Sequence, residues 1–313
     1  MSAMAAPLVF DKQFDPQTGQ RVVVAEGLAR VTAPNASAYT FTGTNSFLLG
    51  HERLAIIDPG PDDEGHYGAL LRAIDGRPID AVLLTHTHRD HSALALRLAS
   101  KLHAPLWFGG AHRLSRPLRR FERNPLRRSA DWTLKSDRVL RDGEVIHAGD
   151  LTLNVHATPG HCANHLAFGL GDVLLSGDHV MGWNSTLVAP PDGSMADYLQ
   201  SLAKVIALPY GRYVPAHGGP IADGPTYAQA LMTHRNMRNS QILQAISAGA
   251  RSVSAITAAI YPDQPWAVRR AAQMTVAAHA EYLAGKGLLK RRSTIFGDRF
   301  DLQDGGGSAS PSV

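Results

Sequence analysis

"THTHRDHS", residues 85 to 92, sets three histidines and one aspartate within eight positions. A solvated loop has no use for so many imidazoles, and an apolar core cannot hide them without partners. The stretch follows the apolar run "AVLLT" and precedes the amphipathic "SALALRLASKL". A buried strand, a turn and a helix in that order hold the turn's side chains on a rigid base facing a cleft. Three further runs end in the same way: "LNVHATPGH" on His161, "DVLLSGD" on Asp178 and "RYVPAH" on His217. Four predicted strand ends thus deliver His86, His88, Asp90, His91, His161, Asp178 and His217. Five imidazoles and two carboxylates with no thiolate make a ligand set rich enough for two metal ions. The set favours two Zn2+ per chain, with Fe or Mn also compatible. Isolated histidines such as His103 or His147 are read instead as satisfying hydrogen bonds in turns.

Around this set, residues 22 to about 217 alternate short branched apolar runs with glycine, proline and aspartate turns. "RVVVAEG" and "NSFLLG…RLAIIDPG" predict an opening meander, and "GALLRAI" and "SMADYLQSLAKVIAL" predict helices. The class expected is α+β, with buried sheets in layers. After Pro220 the composition turns to alanine-rich helices. Ile242, Leu243 and Ile246 line one; Val253, Ile256 and Ile260 line the next behind Ser252 as N-cap; a third runs from Pro265 to Gly285. "GLLKRRSTIFGDRFDL" then predicts a hairpin. Three helices and a hairpin outline a small winged-helix-like domain at 233–303, after a catalytic domain at 1–232 and before a disordered tail at 304–313.

The one cysteine, Cys162, excludes an internal disulfide and fits a reducing compartment. "MSAMAAPLVFDKQF" lacks the basic region of a signal peptide, and no run approaches the roughly 18 apolar residues of a membrane span. A soluble, cytoplasmic protein is expected. The formal charge of +4 matters less than its distribution: seven arginines fall between Arg113 and Arg128. That run is either a solvated face or a positive lip for an anionic substrate, with Arg119, Arg120, Arg127 and Arg128 as candidate contacts.

The H-x-H-x-D-H stretch, the later Gly-His, the later Asp and the last His resemble the signature of the metallo-β-lactamase-fold hydrolases over most of residues 20 to 220. The resemblance implies a four-layer αββα sandwich with the metals at one edge. It puts His86, His88 and His161 on one ion and Asp90, His91 and His217 on the second, with Asp178 bridging. Asp58 of "IIDPG" becomes a support for the metal loop, or else a turn aspartate before proline. His165 is a support, a leaving-group donor, or a packed or solvated histidine. Cys162 is read as a small filler. Two such ions share a water and lower its pKa toward about 7. The reaction implied is therefore hydrolysis by a metal-bridging hydroxide, which Asp90 orients.

Asp178 stands where exported β-lactamases of that superfamily usually carry cysteine or serine, which argues against β-lactam cleavage. Overall, the chain most resembles the β-lactamase-like protein 2 group, whose animal member is a mitochondrial single-strand endoribonuclease. "GTNSFLLG", "HRNMRNSQIL" (residues 234 to 243) and the helices after it carry that resemblance. It implies phosphodiester cleavage of single-stranded RNA. The second reading is a thioester hydrolase, glyoxalase-II-like or acting on acyl groups held by coenzyme A or a carrier protein, as related fungal proteins do. A winged helix also offers Arg269, Arg270, Lys290, Arg291 and Arg292 to DNA phosphates. Packing, assembly of a homodimer and walling of the active site are the other roles open to it. A non-enzymatic DNA-binding protein would leave seven ligand-type residues without a use.

Overall fold

The computed structural model describes residues 8–294 and 297–303, so the tail expected at 304–313 lies outside the described residues. Strands β1 (Arg21–Ala25), β2 (Leu28–Thr32), β3 (Asn45–Leu49) and β4 (Leu54–Ile57) form the expected antiparallel meander. Helix α1 (Glu64–Ile74) leads back to β5 (Ile79–Leu83), which pairs parallel with β4. Asp63 starts α1 by accepting the His66 N–H, and Asp75 stops it in the left-handed conformation. Helices α2 (Arg89–Ser92) and α3 (Ala95–Leu102) precede β6 (Leu106–Phe108) and β7 (Arg138–Val139), which complete a seven-stranded sheet in the order β1 to β7. The single helix expected from "SALALRLASKL" is thus divided, because the Leu94 N–H is drawn to Gly60 O outside the helix.

A second sheet joins β8 (Val145–Ala148), β9 (Leu151–Ala157), β10 (Leu166–Leu170), β11 (Val173–Gly177) and β12 (Arg212–Pro215) in the order β12-β11-β10-β9-β8. Helix α4 (Met195–Ala207), capped by Ser194, crosses from β11 to its parallel neighbour β12. Alternation along the strands decides what each face meets. Leu48, Ile56 and Val82 pack toward α1 and α3, whereas Leu49, Ile57 and Leu83 face the other sheet. There they meet Leu153, Val155, Phe168 and Leu175. On the far side, Ala167, Leu174 and Tyr213 lie under α4 and α5 (Gly224–Ser247). Both faces are covered at the central strands β2 to β5 and at β10 to β12, which is why these read as nearly unbroken apolar runs, whereas β8 and β9 alternate buried with exposed residues. Each fully buried leucine or phenylalanine contributes about 1.5–3 kcal/mol.

Helices α6 (Val253–Ile260) and α7 (Trp266–Gly285) and the antiparallel pair β13 (Leu289–Thr294) and β14 (Gly297–Leu302) follow in the expected order. They share a separate core of Ile242, Ile246, Ile256, Val276, Leu283 and Phe300. The division expected at 232/233 falls inside α5, which has no glycine or proline after Pro225 to stop it. Ala228 and Leu231 of α5 belong to the sandwich, and Ile242 and Ile246 to the C-terminal core. Among the described residues, no helix is long and apolar enough to cross a membrane.

Candidate metal centre

Every candidate ligand stands just past a strand. His86 and His88 follow β5, and Asp90 and His91 lie on α2. His161 follows β9, Asp178 is the residue after β11, and His217 follows β12. Two glycines before ligands allow the crowding. At Gly160 (φ +143°) a Cβ would meet Tyr198 Cα at 2.4 Å, and at Gly177 (φ +53°) it would meet His165 Nε2 at 2.6 Å.

The turns bring all seven side chains together. His86 Nε2 and His161 Nε2 lie 3.0 and 2.8 Å from His88 Nδ1. Asp90 Oδ2 lies 3.3 Å from His91 Nε2 and 3.4 Å from His217 Nε2. Asp178 stands between the two groups. Its Oδ1 is 3.6 Å from His91 Nε2 and 3.3 Å from His217 Nε2, while its Oδ2 is 3.6 Å from His161 Nε2.

These short nitrogen–nitrogen approaches are not hydrogen bonds. His161 Nδ1 donates to Leu187 O at 2.7 Å, so its Nε2 carries a lone pair. His88 Nε2 donates to Asp192 Oδ2 at 2.9 Å, leaving a lone pair on Nδ1. The Thr85 hydroxyl donates to Asp58 Oδ2 at 2.6 Å and therefore accepts from His86 Nδ1 at 3.0 Å. His86 Nε2 is then a third lone pair aimed at the same point. Three converging lone pairs repel unless a cation sits among them. On the other side, His91 Nδ1 donates to Asp58 Oδ2 at 2.9 Å, and buried His91 Nε2 and Asp178 Oδ1 have no hydrogen-bond partner. The donor set of imidazole nitrogens and carboxylate oxygens fits two divalent ions.

The electrostatics agree. Burial pushes the His86 imidazole far below its ordinary range, and neighbouring histidines add to that. Burial also lowers His161, to about 4. Burial raises the Asp90 carboxyl, but His91 and His217 outweigh it and hold the group well below the carboxylate range. His217 is opposed by burial and still raised to about 9 by Asp178 and Asp90. The carboxylates demand positive charge beside them, which a metal ion or a proton supplies.

The two supporting residues expected from the sequence are both buried here. Asp58, at φ 52°, accepts from the Thr85 N–H at 2.7 Å, the Thr85 hydroxyl and His91. His165 Nδ1 meets Thr158 Oγ1 at 2.8 Å, and its Nε2 accepts the Asp178 N–H at 3.1 Å. It holds the loop that carries Asp178. Cys162 is fully buried against Asn164, and burial pushes its thiol up. Two residues escaped sequence reading. Asp192 is buried with Oδ2 on His88 and Oδ1 on His112 Nε2 at 2.7 Å, and His112 Nδ1 meets Thr87 Oγ1 at 2.8 Å. "PPDGS" reads only as a turn, and nothing in "GGAHR" points to a partner.

The arginine run divides. Arg116 and Arg119 hold Glu281 of α7 at 2.6 Å each, Arg116 also holds Glu122, and Arg119 lies 3.4 Å from Asp298 of β14. Arg119 therefore fastens the C-terminal helices to the sandwich. Arg120, Arg127 and Arg128 are exposed. Arg291 and Arg292 are turned to Asp298 and Asp301. A cleft of about 710 Å³ opens at His88, Asp90, His161 and Asp178 and extends along Met181, Trp183, Leu187, Ile242, Val268 and Val276. Leu126 and Ser129, from the end of the arginine run, also line it.

The sequence profile of the metallo-beta-lactamase superfamily matches residues 39–217, which include all seven ligand positions. The chain belongs to that superfamily. It is a metal-dependent hydrolase, as the family, its lactamase-like and thioesterase relatives and the converging ligands agree. The expected likeness within the superfamily holds: the Beta-lactamase-like protein 2 homolog of Caenorhabditis elegans is 26% identical over 259 residues, 80% of this chain and 81% of that protein. The Atrochrysone carboxyl ACP thioesterase of Aspergillus fumigatus is 28% identical, covering 72% of this chain and 66% of its own. The crystal structure of a beta-lactamase domain protein from Burkholderia ambifaria superposes with a TM-score of 0.76 at 24% identity, over 93% of this chain and 95% of that one. That likeness extends the shared fold past the superfamily match into the C-terminal helices.

Proposed function

We propose that this metallo-beta-lactamase superfamily member hydrolyses an acyl thioester whose acyl group lies in the 710 Å³ cleft. The observation that carries the reading is the lining of that cleft. Beyond the ligands, its walls are mainly apolar, with Met181, Trp183, Leu187, Ile242, Val268 and Val276 beside a smaller polar group that includes Arg235, Arg238 and His279. This lining suits a carbon chain or ring system bearing at most a local anionic group better than a polyanion. The fungal relative named as an acyl-carrier thioesterase supports the same class.

In this reading His86, His88 and His161 would hold one Zn2+ and Asp90, His91 and His217 the second, with Asp178, which lies between the two groups, available to either. When bound, the metals would supply Lewis acidity and lower the pKa of a water. Asp58, Asp192, Leu187 O and Gly43 O keep the ligating imidazoles in one tautomer and orientation. Asp90, whose side chain is 29% exposed, faces the cleft and orients the attacking water at the thioester carbonyl. The products are a carboxylic acid and a thiol. A thiolate leaves readily because its pKa is only about 8.5. The C-terminal unit of α5 to β14 is winged-helix-like in this proposal, and its role is to wall the cleft rather than to bind DNA. Arg291 and Arg292, two of its candidate phosphate contacts, already face carboxylates.

Cleavage of single-stranded RNA is the second reading, favoured by one observation. Leu126 and Ser129 bring the segment with exposed Arg120, Arg127 and Arg128 to the side of the cleft. The test is a side-by-side panel on the zinc-loaded protein: acyl-thioesters, single-stranded RNA, a simple phosphodiester and a β-lactam. Thioester turnover at least a hundredfold above the other classes is expected. RNA cleavage with no thioester turnover overturns the proposal in favour of the second reading.

A further inference from the structure

The segment "HRNMRNSQIL" lies on α5, where His234, Arg235, Arg238 and Ile242 follow at helical spacing and all line the cleft. Arg235 is only 2% exposed. Its Nη2 donates to Thr186 O, its Cζ lies 5.1 Å from the Tyr198 ring centre, and its Nε has no hydrogen-bond partner. Arg238 donates from Nη1 to Gln241 Oε1 at 2.6 Å and stands 4.7 Å over Tyr261, and its Nε is likewise buried without a partner. Across from them His279 of α7, 1% exposed, bonds Asn239 through Nδ1 and leaves Nε2 unsatisfied. His234 Nδ1 is also buried and unpartnered.

Among the described residues, no acid is paired with these guanidinium groups. The carboxylates lining the cleft among the described residues are Asp90, Asp178 and Asp263, and neither guanidinium is ion-paired with them or with any other described carboxylate. A guanidinium withdrawn from water without a counter-ion is strongly disfavoured, and aromatic faces offset only part of that loss. Paired guanidinium forks with free N–H groups match the oxygens of a carboxylate or phosphate.

We propose that Arg235 and Arg238 form an oxyanion-binding subsite of the cleft that takes a carboxylate or phosphate group carried by the substrate. Thr186, which accepts from Arg235, precedes Leu187, whose carbonyl orients His161. The subsite therefore adjoins the ligands, and an anion bound there fixes how far along the cleft the reacting carbonyl sits. That consequence rests on the thioesterase reading; the anion subsite itself does not.

Two arms separate the source of the anion, and a third is independent of turnover. In the first, thioesters with and without a terminal carboxylate on the acyl chain are compared. In the second, phosphorylated and unphosphorylated pantetheine leaving groups are compared. The wild type should prefer the anionic member of one pair by roughly tenfold or more in kcat/KM, and Arg238→Gln should bring that ratio toward one. The pair affected tells carboxylate from phosphate. In the third arm, inorganic phosphate should raise the Tm of the wild-type holoenzyme more than that of Arg238→Gln or Arg235→Lys, with metal content matched. If Arg235→Lys does not fold, the partly exposed Arg238 carries the test alone. Ratios and phosphate-induced Tm shifts unchanged from wild type in both variants would overturn the subsite. Should no thioester be turned over, the thioesterase reading fails while the phosphate arm still decides this one.

Discussion

Asp192 and His88 are 104 residues apart in the chain and 2.9 Å apart in the fold, carboxylate Oδ2 against imidazole Nε2. The carboxylate is fully buried and also holds His112, so it sets the tautomer of a candidate ligand from behind. Removing it leaves two buried imidazoles without an acceptor. Asp192→Ala should weaken metal binding at the His86–His88–His161 group by about 10- to 100-fold, measured by competition with a chelator. Unchanged affinity would mean that His88 is oriented by packing alone.

Protein purified without chelators should carry close to two transition-metal ions per chain. His88→Ala should lose at least one of them, and most activity, while its circular dichroism stays native. Elemental analysis finding no metal, either as purified or after reconstitution, would remove the basis of the ligand assignment.

Nitrocefin should be a poor substrate. Asp178 places a carboxylate between the two ligand groups, 3.3 Å from His217 and 3.6 Å from His161. Turnover near roughly 10⁵ M⁻¹s⁻¹, ordinary for an evolved enzyme, would contradict this expectation.

The arginine run should split by function. Arg120, Arg127 and Arg128 are exposed, so their triple alanine variant should leave thioester turnover close to wild type. If RNA is the substrate, the same variant should raise KM and lower the log–log salt slope by roughly 0.7 per lost phosphate contact. Glu281→Gln disrupts the partly buried cluster with Arg116 and Arg119 and should instead cost about 1 kcal/mol of stability. Denaturant titration distinguishes the two effects.

Acid should destabilise the fold partly through His66. Burial pushes this imidazole down to about 4, and its Nε2 bonds Ser46 Oγ at 2.8 Å. The unfolded chain takes up the proton near pH 6.5, well before the folded one does. The stability His66 confers is therefore full above pH 6.5 and is lost as pH falls toward about 4, a change of the order of 3 kcal/mol. His66→Gln should flatten the dependence of Tm on pH across that window. An identical acid slope in the variant would show that other buried histidines carry the effect.

How much of this was legible in the chain depends on how local each feature is. The convergence of the candidate ligands was, because each is set by its own strand: an apolar run, a short turn, then a histidine or aspartate. Leu83, Val155 and Leu175 bury their strands between the two sheets, and the residues a few positions on emerge at the same end of the sandwich. The capped helices were legible for the same reason, as Ser194 and Ser252 show. The partners of these residues were not. Asp192 reaches His88 only after α4 and the second sheet have closed, and nothing in "PPDGS" encodes that. Arg119 looked like a free cation until α7 brought Glu281 within 2.6 Å. Nothing local in "HRNMRNSQIL" marks Arg235 and Arg238, and only packing against Tyr198 and Tyr261 buries the first and half-buries the second beside the cleft. Local hydrophobic periodicity thus determines the strands and where their ends point, because it acts over a few residues. Charge pairing and burial are decided by groups scores of residues apart, so only the assembled tertiary structure determines which arginines are fasteners, which are exposed and which await an anion.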